Sequence, residues 1–215
     1  MSVGVCINAH RHLLFYGGDK MKIYMIRHGQ TDWNKKNLLQ GRSDIRLNEE
    51  GRKMAEKAAC ELKDVDFFRI YSSPLMRAYE TAEIIRGGRD IPIICDERII
   101  EMSFGEYEGK YYNKNHMEPD DGIYNFFFKP ECYTAKNGEV IKDIKKRTAD
   151  FLKDITSDNQ LKDKNILVSA HGAAIAAMMS YVKNRKDEDF WKDGVTGNCA
   201  VTILVADDTG IRVSE

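Results

Sequence analysis

Two histidines, His28 and His171, each close a short apolar run, and each is followed at once by a glycine, in the pairs His28-Gly29 and His171-Gly172. Free imidazole titrates near ~6.5, so at neutral pH a useful fraction is uncharged and nucleophilic. The glycine beside it removes a side chain that would obstruct close backbone approach to a ligand. Arg27 flanks His28 directly, and Arg77 falls in the first turn of a helix expected after Ser72-Ser73-Pro74. Guanidinium forks match the oxygens of phosphate, so two arginines and two histidines converging on one crevice suit a phosphate dianion better than a neutral ligand. The plainer readings are that each histidine caps its strand and each arginine makes a surface ion pair. Two matched junctions bring the joint reading level with the plain one for the histidines. No carboxylate or third histidine sits at ligand spacing beside them, and adjacent guanidiniums would repel a cation, so no metal and no cofactor is expected. A proton donor is also required. Glu97, Glu101, Glu106 and Glu108 crowd one stretch, and their spacing alone does not choose among them.

Such a cluster forms only if the elements carrying it end on the same side of a sheet. Short runs rich in Ile, Val and aromatics predict strands over 22–26, 67–71, 91–95, 165–170 and 199–205. Asn48 is placed to cap a helix running to about residue 62, and Ser73 with Pro74 at the first helical position opens another to about residue 85. Val140, Ile141, Ile144, Phe151, Leu152 and Ile155 recur at helical spacing, and 173–182 reads as a small-residue helix able to approach a sheet closely. Strands alternating with helices predict an α/β fold: a three-layer sandwich with a mostly parallel central sheet and helices on both faces. Ligands bind beyond the carboxyl ends of such strands, where both histidines fall. Residues 111–138 break the alternation and hold Tyr111, Tyr112, His116, Tyr124 and Phe126 to Phe128, which reads as an inserted cap over those strand ends.

The chain has 215 residues, 42% hydrophobic and 31% charged, which fits one domain or one domain with an inserted cap. A net charge of −1 without basic blocks points away from nucleic acid and membrane surfaces and toward a small charged partner. Five scattered cysteines, Cys6, Cys60, Cys95, Cys132 and Cys199, with no CxxC pair, suggest reduced thiols and a cytoplasmic location. The pattern of a folded domain begins abruptly at Met21, after Gly17-Gly18-Asp19-Lys20, which a purine-rich stretch like a bacterial ribosome-binding site can encode. Residues 1–20 are therefore expected to be an extension, from a mis-assigned start or added for expression, and 21–215 the domain itself. Mass spectrometry of protein made from the native gene would show Met1 or Ser2 if this is wrong.

The motifs together resemble the histidine phosphatase superfamily, also called phosphoglycerate mutase-like, over about 21–205. Arg27-His28-Gly29-Gln30-Thr31 with Trp33-Asn34, Gln40-Gly41, Asp44 and Leu47 is similar to its first block, and Ser72-Ser73-Pro74 through Arg77 and Thr81-Ala82 to its second. Glu101 with Phe104-Gly105 and Glu108-Gly109 resembles the third block, and Ala170-His171-Gly172 the last. The resemblance implies His28 as the phosphorus nucleophile, Glu101 as proton donor and later base, Arg27, Arg77 and His171 around the equatorial oxygens, Asn34 as a further hydrogen-bond donor and Gly172 in the substrate site, without metal. It also implies a small phosphorylated metabolite as partner and a chain acting as monomer or homodimer. Residues 110–139 contain no Arg, and only four Lys and one His against five acids, unlike the basic insertion of the mutases. The phosphatase branch is therefore expected, with cap aromatics packing either on the leaving group or in the cap core. Val140 stands where relatives often place Ser. Mutase activity and a non-catalytic phosphate-binding regulatory protein are the alternatives, and sugar phosphates, nucleoside-like phosphates, phosphoserine and phosphoproteins all remain open as substrates.

Overall fold

The computed structural model describes residues 20–119 and 122–214; the expected extension, Lys20 apart, and Cys6 lie outside the described residues. β1 (Met21–Arg27) and the strand later numbered β4 (Asn165–Ala170) are buried at nearly every position, as strands covered on both faces must be. They pair in parallel, from Lys22 opposite Asn165 to Arg27 opposite Ala170, so both end together. β2 (Phe67–Ser72) pairs parallel to β4 on its other side, and β3 (Ile93–Cys95) extends the parallel run to the sheet edge. β5 (Val201–Asp207) lies antiparallel to β1, and β6 (Gly210–Val213) completes the order β3-β2-β4-β1-β5-β6. Four of the six strands are parallel, as expected.

Because successive side chains on a strand face opposite ways, Ile23 and Met25 belong to one core and Tyr24 and Ile26 to the other. The first core is completed by α5 (Ile141–Ser157) through Ile144, Phe151, Leu152 and Ile155, and by α6 (Gly172–Val182) through its run of buried Ala and Met. The second is completed by α2 (Glu49–Glu61) and α3 (Met76–Arg86), through Ala58 just ahead of Leu62 and through Ala82 and Ile85. Each large apolar side chain so removed from water stabilises the fold by about 1.5–3 kcal/mol before entropy is counted. The three layers match the sequence expectation.

Several boundaries differ. Asn48 caps α2 as expected, its Oδ1 accepting from Gly51 N at 2.8 Å. α3, however, starts at Met76 with Leu75 as its cap residue, because the Ser73 hydroxyl is engaged elsewhere. Val140 is extended and only precedes α5. β3 begins at Ile93, after Pro92, which has no N–H to give a ladder. β5 begins at Val201, because Cys199 sits at φ 55° and its N–H bonds Arg27 O at 2.9 Å. β6 is short and half exposed, too weak a period to predict. Two short helices, α1 (Asp32–Lys35) and α4 (Tyr124–Phe128), lie beside the strand ends and in the cap stretch respectively. Cys60, Cys95, Cys132 and Cys199 are free thiols, and among the described residues no helix is long and apolar enough to cross a membrane.

Candidate active site

His28 follows the last residue of β1, and its N–H bonds Ala170 O at 3.0 Å, which locks the two strand ends together. The ring is buried, and Nδ1 lies 2.7 Å from Gly29 O. A carbonyl only accepts, so Nδ1 carries the hydrogen and the neutral ring keeps its lone pair on Nε2. Burial, then the positive charges of Arg77 and Arg27, hold the His28 pKa well below its ordinary value, so it is uncharged at neutral pH. Gly29 is required here: a Cβ would stand 2.4 Å from Gly51 O, where the start of α2 crosses the loop.

His171 caps α6 immediately after β4, and its ring centroid is 5.2 Å from that of His28. Its Nε2 is 2.7 Å from Ser73 Oγ, while Nδ1 is buried with no hydrogen-bond partner. A serine hydroxyl donating to Nε2 would put the ring hydrogen on Nδ1 and make that atom a donor. Burial, then Arg77, lowers the His171 pKa well below the usual value too.

Arg77 is fully buried in the first turn of α3. Its two terminal nitrogens donate to Ser43 O at 2.8 Å and Gly41 O at 2.7 Å, while Nε has no partner. Burial brings its pKa down to about 10, against the opposing pull of Glu101, so it stays charged at neutral pH. Arg27 donates to Thr196 O at 2.6 Å and likewise keeps an unpartnered, buried Nε. Asn34 Oδ1 accepts from Thr31 N and Thr31 Oγ1, at 3.1 and 3.2 Å, which leaves its Nδ2 to donate.

The four glutamates left open by spacing separate in space. Glu101 is buried, with Oε1 accepting from Met102 N at 2.9 Å and Ala174 N at 3.2 Å, and Oε2 from Ala173 N at 3.3 Å. Its carboxylate thus sits on the N-terminus of α6, on the wall of the same cavity as His28. Glu97 is exposed. Glu106 is exposed and paired with Lys136 at 3.0 Å. Glu108 accepts from Phe104 N, Arg42 N, Ser43 N and Ser43 Oγ at 2.7–3.1 Å, pinning the loop whose carbonyls hold Arg77.

Arg27, His28, Asn34, Arg77, Glu101 and Gly172 all line one cavity, and His171 packs against His28 just behind it. Phe104, Tyr112, Phe126, Phe127 and Trp191 supply its apolar wall. The aromatics of 111–138 therefore divide: Phe126 is buried in the cap core, Tyr112 and Phe127 face the cavity half-buried, and Tyr111 and Phe128 are exposed. Sequence reasoning missed a second cap segment, Phe190 to Asn198. Trp191 Nε1 donates to Phe126 O at 2.6 Å, and Asn198 Nδ2 donates to His28 O at 2.9 Å. No periodicity marks that segment; an isolated Phe190-Trp191 pair among turn residues was the available signal. Among the described residues no group of three or more His, Cys, Asp or Glu gathers as a metal site.

An imidazole with a free Nε2, two guanidiniums and a carboxylate surround one cavity beyond the strand ends of an open α/β sheet, an arrangement suited to a phosphate dianion. The chain belongs to the histidine phosphatase superfamily (branch 1), whose profile matches residues 23–215. It is 35% identical over 172 residues to "Putative phosphoserine phosphatase 2" of Hydrogenobacter thermophilus, covering 79% of this chain and 82% of that protein. It is 32% identical over 172 residues to a 2,3-bisphosphoglycerate-dependent phosphoglycerate mutase of Cytophaga hutchinsonii, covering 78% and 79%. Among solved structures, Bacillus stearothermophilus YhfR superposes with a TM-score of 0.82 at 32% identity, over 90% of this chain and 95% of that one.

Proposed function

We propose that the protein hydrolyses small phosphomonoesters without a metal, through a phosphohistidine on His28. The observation that carries the reading is the 2.7 Å approach of His28 Nδ1 to Gly29 O, which assigns the ring hydrogen to Nδ1 and leaves Nε2 as an in-line nucleophile in a ring kept neutral by burial and two guanidiniums. In the first step Nε2 attacks phosphorus, the bond to the ester oxygen breaks, and Glu101 protonates the leaving alcohol. Arg27, Arg77, His171 and Asn34 hold the equatorial oxygens, whose charge must be stabilised in the transition state. In the second step the Glu101 carboxylate takes a proton from water, which attacks phosphorus as the N–P bond breaks, releasing inorganic phosphate and regenerating His28. Likeness to a protein named a phosphoserine phosphatase supports hydrolysis.

The similarity to a mutase supports a second reading, transfer between hydroxyls with a bisphosphorylated primer. The cap stretch weighs against it, since residues 110–139 offer no arginine for a second phosphate. The deciding experiment is phosphate release from p-nitrophenyl phosphate with a chelator present, comparing wild type with His28→Ala. Metal-independent turnover that the substitution abolishes is the expected result. A silent wild type that becomes active as a mutase when primer is added would overturn it, and so would activity retained by His28→Ala.

A further inference from the structure

Glu139 stands just ahead of α5, with its side chain only 10% exposed. Its carboxylate takes both arms of the Arg147 fork, Oε1 accepting from Nε at 2.6 Å and Oε2 from a terminal nitrogen at 2.8 Å. Paired in this way, Arg147 on α5 keeps its other terminal nitrogen for two backbone carbonyls, Arg98 O at 2.7 Å and Ile100 O at 2.6 Å. Glu139 Oε2 also accepts from Arg42 at 3.3 Å, and Arg42 Nε donates in turn to Glu101 O at 3.3 Å. The Glu139 N–H donates to Ser103 O at 2.8 Å. Gly138 permits that approach, since a Cβ there would stand 2.6 Å from the same carbonyl. One residue thus organises bonds to the carbonyls of Arg98, Ile100, Glu101 and Ser103, on both sides of the proposed acid. Glu139, Arg147 and Arg42 themselves stay outside the lining of the His28 cavity. A half-buried guanidinium deprived of its carboxylate is poorly satisfied, and the carbonyls it holds lose their donor when it moves.

We infer that Glu139 is a positioning residue for the proton donor: through Arg147 and Arg42 it fixes the main chain of Glu101, so that the carboxyl meets the leaving oxygen. The acid is then clamped at two ends, its carboxylate by the N–H groups of Met102, Ala173 and Ala174 and its backbone by the Glu139 network. The grip on phosphate is built separately. Arg77 hangs on the carbonyls of Gly41 and Ser43, in a loop pinned by Glu108, and His28 is tied to the end of β4. Loss of Glu139 is therefore felt where a proton must be delivered and little where none is needed. The inference rests on the reading of Glu101 as the acid.

The test is the rate of phosphoenzyme formation in a single turnover, with two esters that differ by one nitro group. Phenyl phosphate has a basic leaving oxygen that needs the proton, whereas the phenolate of p-nitrophenyl phosphate leaves unaided. In Glu139→Gln the first rate is expected to fall about 10–10²-fold, the cost of a misplaced catalytic group, while the second stays within about threefold of wild type. Arg147→Lys keeps the charge but cannot serve a carboxylate and two carbonyls together, so it should show the same split and decides the matter if Glu139→Gln fails to fold. In a Glu101→Gln background, Glu139→Gln should slow phenyl phosphate by less than about twofold more, because its effect passes through the acid. Equal slowing of both esters, no slowing of either, or additive losses in the double variant overturns the inference. Glu101→Gln that reacts with phenyl phosphate at full rate removes the acid assignment and this inference with it. A slow Glu101→Gln beside an unimpaired Glu139→Gln removes only the inference.

Discussion

The Glu101 carboxylate accepts a hydrogen bond from the backbone N–H of Ala174 at 3.2 Å, three residues past His171 on the same helix start. The proposed acid and the histidine proposed to hold the phosphate oxygens are thus referenced to one rigid element, and a shift of α6 would move both. Glu101→Gln keeps an acceptor for that N–H while removing the titratable proton. With an alkyl phosphate, turnover is expected to fall about 10²–10⁴-fold, the usual worth of a positioned acid. With p-nitrophenyl phosphate, whose phenolate leaves without a proton, the first step survives and the water-dependent second step does not. Rapid quench should then show one equivalent of nitrophenol per site, with acid-labile phosphoenzyme accumulating. Steady nitrophenol release without a burst would remove Glu101 from the second step.

Arg77 is held by the carbonyls of Gly41 and Ser43, and Glu108 fixes that loop with one carboxylate. Arg77→Lys keeps the charge and loses the fork, so it can no longer serve both carbonyls and a phosphate at once. We expect kcat/KM to drop about 10²-fold or more. Stability should fall by about 1–3 kcal/mol, because a buried carbonyl is left unsatisfied. Both effects are read from kinetics and thermal unfolding of the same preparation, and a fully active, equally stable variant would contradict the geometry.

His28 and His171 have folded-state pKa values well below the ordinary ~6.5, with burial the first cause in each and Arg77 the second. The unfolded chain therefore binds more protons than the folded one as pH falls below ~6.5. By linkage, stability is highest above that value and is lost on acidification, with a slope approaching about 1.4 kcal/mol per pH unit for each histidine. The activity prediction runs the same way, since no acid limb from His28 should appear in kcat/KM near pH ~6.5. Denaturant unfolding across mildly acidic pH checks the first, and a pH–rate profile the second. Stability that rises on acidification would reverse the sign and refute the burial argument.

The sheet was legible because β1 and β4 are continuous apolar runs, and the two His-Gly junctions were legible because they end such runs. Periodicity also placed the buried face of α5, from Ile144 to Ile155. The choice of Glu101 among four acids was not readable from spacing, since it depends on where the N-terminus of α6 arrives after more than sixty intervening residues. Ser73 misled as a helix cap for the same kind of reason: its hydroxyl answers to His171, a partner from another strand end. The Thr196 carbonyl accepts from the Arg27 guanidinium and the Asn198 side-chain amide donates to His28 O, contacts that leave no pattern in the chain.

The cap is two segments joined by Phe126. Its ring meets Phe104 at 4.8 Å, Phe127 at 4.9 Å, Trp191 at 5.1 Å and Tyr133 at 5.2 Å, and its carbonyl accepts from Trp191 Nε1. Phe126→Ala removes the centre of that cluster, and truncating a buried phenylalanine costs about 3–5 kcal/mol. None of these ring partners belongs to β1 or β4, although Phe126 shares the first core with Ile23, Met25 and Val168, so the loss should be greatest in the cap. Amide hydrogen exchange should accelerate across 123–133 and 187–195 while β1 and β4 keep their protection. The wall of the cavity loosens with the cap, so KM is expected to rise more than kcat falls, because His28 is held by the sheet ends, Arg77 by the carbonyls of Gly41 and Ser43, and Glu101 by α6 instead. Uniform loss of protection across the sheet would mean that the cap is integral to the core, and an unchanged KM would mean that its aromatic wall does not touch the substrate.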